Sequence, residues 1–262
     1  MTSQVISLDE SLTLGELQIV GRLVDASNAT LLAEVETNGE VVKCIYKPIA
    51  GERPLWDFPN GSLARREVAT YQLARASGFR CVPTTVMRAD GPLGPGMAQL
   101  WLDDADYELL VRVREPDPVD DRYLQVLHAR GSNGEDVVVE HLDDARLREV
   151  ALLDLITNNA DRKGGHLFVA AESVWAVDHG LTWHQEPKQR TVLWGWAGEA
   201  FNDSDHALLA KMLETLEDES IFNHVLERDE IQAARTRARE LLGSGHFPRP
   251  LSSEPNIPWP VF

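Results

Sequence analysis

Residues 158–166 contain the densest group of chemically useful side chains in the sequence. Asp161, Lys163 and His166 follow the spacing Asp-x-Lys-x-x-His, and a second acidic segment, Asp178-His179-Gly180, follows two short strand-like runs. In a phosphotransferase, one carboxylate orients the attacking hydroxyl, a lysine neutralises the transferred phosphoryl group, and a second carboxylate holds the metal ion on the nucleotide phosphates. The pattern therefore predicts phosphoryl transfer, with Asp161 and Lys163 as catalytic residues and Asp178 as a metal ligand.

Residues suited to nucleotide binding lie upstream of this segment. Lys47 ends a predicted strand and Glu67 lies on the next predicted helix, as in the lysine–glutamate pair that positions the α- and β-phosphates in kinases. Earlier still, the loop from Gly21 to Thr30 contains small residues, among them Asn28, that let the backbone approach phosphates. We therefore expect Asn28, Lys47 and Glu67 to contribute to an ATP site.

Each motif also has a plain structural interpretation. An Asp-Arg pair at a helix end can be a simple ion pair, a strand-end lysine can be solvated, and Asp-x-Gly is common in turns. Short motifs match by chance when they are taken singly. We favour the chemical interpretation because the loop, the lysine, the glutamate, the aspartate loop and the Asp-x-Gly segment occur in the order that a kinase needs.

Turns and hydrophobic periodicity predict the elements that position these residues in the first hundred residues. Asn38-Gly39 is typical of a tight hairpin turn, and Ser62 is suited to cap a helix that stops before Gly78. The predicted strands are Leu31–Glu36, Val41–Lys47, Cys81–Arg88 and Met97–Leu102.

Downstream of this region, helical periodicity becomes dominant. A helix is expected from Asp143 to about Asn159, directly before the aspartate loop. The other predicted elements are strands Tyr123–His128, Val137–His141, Leu167–Ala170 and Val174–Val177, and helices 204–217 and 229–242, the second capped by Asp229 and stopped by Gly243.

The order of these elements predicts an α+β fold of two lobes, with a small β-rich N-lobe and a mainly helical C-lobe. Residues 1–102 would form the N-lobe and residues 119–247 the C-lobe. Residues 103–118, rich in aspartate and proline, would link them, and the proline-rich residues 248–262 would form an extended tail.

The sequence resembles the phosphatidylinositol 3- and 4-kinase family, in the compact form found in actinobacteria, and is closest in motif style to the type II 4-kinases. The resemblance covers residues 21 to about 200 and is carried by Cys44–Pro48, Arg66–Tyr71, Val82–Thr85, Leu153–Arg162 and Ala176–Leu181. It implies a kinase-like fold that uses ATP with Mg²⁺ or Mn²⁺. It also implies that Lys47 binds nucleotide phosphates, oriented by Glu67, and that a hinge wall formed by Gln99, Leu100 and Trp101 contacts adenine.

His166 departs from the family pattern, which places an asparagine at this position as the second metal ligand. A neutral imidazole also binds divalent metals, but it suits Mn²⁺ or Zn²⁺ better than Mg²⁺. His166 is thus either a metal ligand or a neighbouring contact, and this choice bears on both metal preference and activity.

Composition disfavours several classes of function. The chain of 262 residues contains 25 Lys and Arg against 42 Asp and Glu, a net charge of −17 that disfavours nucleic acids and anionic membrane surfaces. The only two cysteines, Cys44 and Cys81, lie among apolar residues and fit buried thiols in a reducing compartment. No stretch of the sequence approaches the roughly 18 apolar residues that a membrane-spanning helix needs, and we expect a cytoplasmic protein without a transmembrane segment.

Three functions fit these observations. The first is transfer of the γ-phosphoryl group of ATP to a hydroxyl of a protein, a small polyol or an inositol lipid. The second is a regulatory pseudokinase that binds nucleotide without turnover, and the third is transfer of AMP to a protein. The first is the main hypothesis because Asp161 and Lys163 match the catalytic pair of a kinase.

Overall fold

The computed structural model describes residues 6–23, 29–58, 63–250 and 255–262. The strands are β1 (Glu16–Arg22), β2 (Leu31–Thr37), β3 (Glu40–Pro48), β4 (Thr85–Arg88), β5 (Gly96–Leu100), β6 (Val111–Arg114), β7 (Tyr123–Arg130), β8 (Asp136–Leu142), β9 (Leu167–Ala170) and β10 (Ser173–Ala176). The α-helices are α1 (Leu8–Leu14), α2 (Leu63–Ala76), α3 (Ala145–Thr157), α4 (Asp203–Glu217) and α5 (Arg228–Ser244). The sheet-rich first part and the helical last part confirm the predicted α+β class.

The N-terminal region is an antiparallel sheet with strand order β1-β2-β3-β5-β4. The predicted hairpin between β2 and β3 is confirmed, because Asn38 and Gly39 adopt the positive φ angles of 54° and 84° that its turn requires. A small core of apolar side chains from α1, β2, β3, β4 and β5 covers one face of this sheet. Lys47 lies near the end of β3, opposite Met97 of β5.

Helix α3 is the central element of the C-terminal part. Its residues Val150–Thr157 are all buried, as expected of a helix that is apolar on most sides. Asp144 caps its start by accepting a hydrogen bond from the Arg146 N–H, and Asn158 ends it in the left-handed conformation. The prediction of a helix that leads directly into the aspartate loop is confirmed.

Two β-sheet predictions need correction. The strand expected from Cys81 begins only at Thr85, because Pro83 has no N–H to donate to a β-ladder. The segment 103–118, predicted as a linker, contains strand β6, which pairs with β8 in a sheet of order β6-β8-β7. Its alternating Val-Arg-Val-Arg sequence is a strand pattern that the surrounding acidic residues and prolines obscure.

The ends of α5 also differ from the prediction. Glu227, not Asp229, occupies the N-cap position, and its N–H donates to the Glu230 side chain at 2.9 Å. The helix continues past Gly243 to Ser244 and stops at Gly245, which has a φ of +68°. The predicted cap of α2, Ser62, lies outside the described residues.

The two cysteines and His141 are buried in the fold. Cys44 and Cys81 are buried and unpaired with one another, as expected. His141 of β8 is also buried: its Nε2 accepts a hydrogen bond from the Gly195 N–H at 3.0 Å, so its Nδ1 carries the proton and donates to the Leu142 carbonyl at 3.0 Å. Burial lowers the pKa of His141 to about 4.

The neutral state of His141 makes folding sensitive to acid. Its pKa is 6.5 in an unfolded chain and about 4 in the fold, so the unfolded state binds more protons between these values. The free energy of unfolding therefore decreases as pH falls through this window, by up to about 1.4 kcal/mol per pH unit from this residue. The amide of glutamine can both donate and accept a hydrogen bond but does not titrate. In His141→Gln we therefore expect the free energy of unfolding, measured with urea, to decrease less between about pH 7 and about pH 5 than in the wild type. Identical slopes for the two proteins would contradict this assignment.

Candidate active site

The end of α3 and a network of backbone hydrogen bonds hold the aspartate loop. Asn158 has a φ of 55°, which turns the chain away from the helix axis. The Ala160 N–H donates to the Leu181 carbonyl at 2.8 Å, and the Asp161 N–H donates to the Asn159 side-chain oxygen at 3.0 Å. These bonds fix the backbone on both sides of Asp161.

A buried ion pair lies beneath the loop. The Arg162 guanidinium donates to both carboxylate oxygens of Asp154, at 2.7 and 2.9 Å, and to the Val177 carbonyl at 2.8 Å. Asn159 adds a hydrogen bond to Asp154 at 2.9 Å. Arg162 therefore pairs with α3, not with its neighbour Asp161, and it connects the aspartate loop to the residue before Asp178.

Removal of this ion pair is expected to destabilise the fold strongly. Asp154→Ala leaves the fully buried Arg162 without a carboxylate, a change that costs about 3–5 kcal/mol for buried pairs. Asp136→Ala is the matched control, because Asp136 pairs with Arg130 on the surface and such pairs contribute at most about 1 kcal/mol. Urea unfolding of both variants measures the difference. Equal losses of stability would show that Asp154 has no special structural role.

Lys47 lies between two carboxylates, those of Glu67 and Asp178. Its Nζ is 2.6 Å from Glu67 Oε1 and 3.3 Å from Asp178 Oδ1. Burial opposes the charge of Lys47, but the two carboxylates outweigh burial and raise its pKa. Lys47 in turn lowers the pKa of Asp178, whereas burial raises the pKa of Glu67 even though Lys47 opposes this effect. The cleft thus holds a permanently charged lysine between two carboxylates.

Contacts of the neighbouring residue fix helix α2 and so the position of Glu67. Arg66 Nη2 is 2.5 Å from Glu230 Oε1 of α5, and Arg66 Nη1 donates to the Thr182 carbonyl. Thr70, one turn further, accepts a hydrogen bond from the Trp183 indole at 3.0 Å. The helix that bears Glu67 is therefore tied to the segment that follows Asp178 and to the C-terminal helix.

The remaining predicted residues complete the cleft. Lys163 Nζ is 3.4 Å from Asp161 Oδ2, and His166 Nε2 is 3.4 Å from Asp178 Oδ2. Burial raises the pKa of Asp161 although Lys163 opposes this shift, and burial lowers the pKa of His166 to about 4. His166 is consequently neutral near pH 7, with a lone pair available at one ring nitrogen.

The residues present fit a divalent cation in part. Asp178 and His166 offer a carboxylate oxygen and an imidazole nitrogen, a donor pair that divalent metals accept. Among the described residues, no group of three or more metal-ligating side chains occurs. A cation at Asp178 and His166 would therefore need further ligands from a bound molecule, as is usual for metals that bind together with substrate phosphates.

Two cavities meet at Lys47 and Asp178. One, of about 290 Å³, also contacts Glu67 and Asp161 and is roofed by Pro48 and by Leu63 of α2. The other, of about 200 Å³, lies against the end of β5. Both volumes lie below the range of about 300–1,000 Å³ that is usual for ligand sites. Because Lys47 and Asp178 line both cavities, the two together form one cleft.

The second cavity contains the predicted hinge residues Gln99, Leu100 and Trp101. The Gln99 amide donates to Thr85 Oγ1 at 2.8 Å, so it fixes the strand end rather than facing a ligand freely. Asn28 lies outside the described residues. The cleft thus brings together Lys47, Glu67, Asp161, Lys163, His166 and Asp178, and the predicted hinge residues line its second cavity.

Two aromatic residues that line this cavity were not predicted from the sequence. Tyr107 and Phe168 both line it, with their ring centroids 5.1 Å apart. Phe168 lies on β9, just after the aspartate loop, and its place as a large aromatic residue two positions after His166 is a signal that could have revealed it. Tyr107 lies in the predicted linker, where no local pattern marks it.

The fold and the cleft define an α+β protein in which a lysine–glutamate pair lies beside two aspartates. The chain is 44% identical over 264 residues to Protein Rv2133c of Mycobacterium tuberculosis (strain ATCC 25618 / H37Rv), a match that covers 95% of this chain and 93% of that protein. The chain belongs to the same family as Protein Rv2133c. No protein family model matches the sequence. Among solved structures, the Helicobacter pylori proinflammatory kinase CtkA aligns with a TM-score of 0.44 and 10% identity, over 90% of this chain and 94% of that one.

Proposed function

We propose that this protein is an ATP-dependent phosphotransferase that moves the γ-phosphoryl group of ATP to a hydroxyl group. One observation carries the proposal: Lys47 contacts both Glu67 and Asp178 at the junction of two cavities, and Asp161 lines one of them. Kinases use a lysine–glutamate pair and two aspartates in this relation to hold and transfer phosphate. The resemblance of the motifs to phosphatidylinositol 3- and 4-kinases supports the same activity.

In this proposal each residue of the cleft has one task. Lys47 binds the α- and β-phosphates, and Glu67 keeps it in place. The adenine ring occupies the cavity walled by Gln99, Leu100 and Trp101, with the phosphates directed towards Lys47. Asp161 orients the acceptor hydroxyl, and its raised pKa suits it to accept a proton.

The charge of the transferred group must also be balanced. Lys163, beside Asp161, neutralises the phosphoryl group as it moves. Asp178 and His166 would hold Mg²⁺ or Mn²⁺, which shields the phosphate oxygens from one another when it is bound. Because imidazole binds Mn²⁺ better than Mg²⁺, we expect Mn²⁺ to support higher ATP turnover.

The acceptor is a hydroxyl of a protein, a small polyol or an inositol lipid. The net charge of −17 favours the first two, because it repels anionic membranes. No helix among the described residues has the length and apolar character needed to cross a lipid bilayer. The acceptor class is therefore decided by product analysis and not by the family resemblance.

His166 supports a second candidate function. It occupies the position at which the kinases that the sequence resembles have an asparagine metal ligand. Its Nε2 lies 3.4 Å from Asp178 Oδ2. A pseudokinase that binds ATP without turnover would follow if this substitution prevented productive metal binding.

An ATP-turnover assay alongside calorimetric ATP binding separates the two candidates. The purified protein is tested with Mg²⁺ and with Mn²⁺, and Asp161→Asn serves as the catalytic control. Turnover that depends on Asp161 in either metal supports the phosphotransferase. ATP binding without turnover in both metals favours the pseudokinase, and absence of binding removes both functions.

A further inference from the structure

Residues 255–262, called the C-terminal segment below, run beside the aspartate loop. The Val261 carbonyl accepts a hydrogen bond from the Gly164 N–H at 2.8 Å. The Phe262 ring lies where a Cβ atom of residue 164 would be, so that any side chain there would overlap the ring. The Val261 side chain packs against the main hydrophobic core. The segment thus holds Gly164 by a hydrogen bond and by ring packing at once.

The same segment is anchored at a second point. The Asn256 carbonyl accepts hydrogen bonds from the Thr191 N–H at 3.0 Å and from the Trp194 indole at 2.8 Å. Thr191 forms a parallel β-bridge with Arg162, the residue next to Asp161. The segment therefore contacts both of the chain stretches that pair beside the catalytic aspartate.

Gly164 occupies a sensitive position in the loop. Residues Gly164–His166 form one 3₁₀ turn, and Lys163 precedes it. The first N–H of such a turn has no partner within it, and the Val261 carbonyl supplies that partner. Gly164 and Gly165 have wide backbone freedom, so contacts from outside the turn are needed to fix it. The side chains at its two ends, Lys163 and His166, face Asp161 and Asp178 respectively.

We infer that the C-terminal segment is a positioning element for the catalytic loop. Val261 and Phe262 hold the Gly164 turn, so that Lys163 and His166 keep their places beside the two aspartates. This inference rests on the proposed phosphotransfer. It predicts an effect on turnover and little effect on ATP binding, because the residues described as lining the adenine-side cavity include none from the segment.

The test uses the full chain with substitutions at two aromatic residues of the segment. Phe262→Ala removes the ring from Gly164, whereas Trp259→Ala changes a side chain that is 82% exposed. We expect Phe262→Ala to lower kcat for ATP turnover by about tenfold or more, since small displacements of catalytic groups are costly. KM for ATP should stay within about twofold in both variants, and Trp259→Ala should keep the wild-type kcat. Phe262→Leu, which retains apolar packing, should recover most of the loss.

A double-mutant cycle tests the contact between Phe262 and Gly164. Gly164→Ala should displace the ring and lower kcat, and the pair Gly164→Ala with Phe262→Ala should be no worse than Phe262→Ala alone, because the new methyl group then has space. Wild-type kcat in Phe262→Ala, equal effects of Phe262→Ala and Trp259→Ala, or additive losses in the double variant would each overturn the inference.

Hydrogen exchange at the Gly164 amide separates this inference from the proposed function. Phe262→Ala should speed exchange at Gly164 relative to both wild type and Trp259→Ala. If Phe262→Ala exchanges faster at Gly164 but the wild type shows no ATP turnover, the proposed phosphotransferase function is rejected and the structural contact between Phe262 and Gly164 is supported. Unchanged exchange together with unchanged turnover would reject the positioning role alone.

Discussion

Asp161→Asn is expected to lower ATP turnover by about a hundredfold to ten-thousandfold, the range typical of lost general-base catalysis. Asparagine has nearly the same shape, and the backbone bonds that fix this position, from Asp161 N–H to Asn159 and from Ala160 N–H to Leu181, do not involve the carboxylate. The fold should therefore remain, and the variant loses the proposed acceptor of the hydroxyl proton together with the ion pair between Asp161 and Lys163 at 3.4 Å. ATP affinity should stay within about threefold, because the proposed adenine cavity and Lys47 are unchanged.

The matched control for this variant is Asp136→Asn, which also removes one carboxylate but lies on the exposed β7–β8 hairpin. It should retain wild-type turnover. Steady-state kinetics and ATP titration of the three proteins give the comparison. Turnover in Asp161→Asn within about twofold of wild type would remove Asp161 from the chemistry.

Asp178→Ala is expected to abolish turnover and to make ATP binding independent of divalent metal. Asp178 is the carboxylate shared between Lys47 and His166, at 3.3 and 3.4 Å. Its loss removes the oxygen donor of the proposed metal pair, and a single imidazole binds Mg²⁺ or Mn²⁺ weakly. Lys47 keeps its ion pair with Glu67 at 2.6 Å, so a phosphate-binding cation remains in the cleft.

Calorimetric titration with ATP in the presence of Mn²⁺ and in the presence of a chelator measures this effect. Wild type should bind ATP more tightly with the metal, and Asp178→Ala should bind it equally in both conditions. Lys43→Ala is a suitable control, because Lys43 lies on the same strand as Lys47 but pairs with Asp103 at the surface. A metal-dependent gain in affinity that persists in Asp178→Ala would place the metal elsewhere.

Local sequence signals predicted the parts of the fold that local physics determines. The Asn38-Gly39 hairpin follows from the conformational preferences of these two residues, and the helical periodicity predicts the end of α3 within two residues of its observed end at Thr157. The aspartate loop could be located because it follows directly on a long apolar helix. These features place Lys47 and Asp161 on the correct elements before any tertiary contact is known.

Non-local contacts could not be predicted in this way. The partner of Arg162 is Asp154, eight residues earlier and on the helix, and not the adjacent Asp161. The contact of Phe262 with Gly164 joins residues far apart in the sequence, and nothing in the proline-rich tail indicates it. Strand β6 was hidden because its partner β8 lies beyond β7, outside the range of any local pattern.

The central claim is that a phosphoryl group leaves ATP at this cleft. Its most direct test is product analysis after incubation with Mn²⁺ and ATP radiolabelled at the γ-phosphorus, with Asp161→Asn in parallel. Formation of ADP, with the label in free phosphate or on an acceptor and with both signals lost in Asp161→Asn, is the predicted result. Formation of AMP with labelled pyrophosphate would instead indicate adenylyl transfer, and unchanged ATP in both proteins would contradict catalysis altogether.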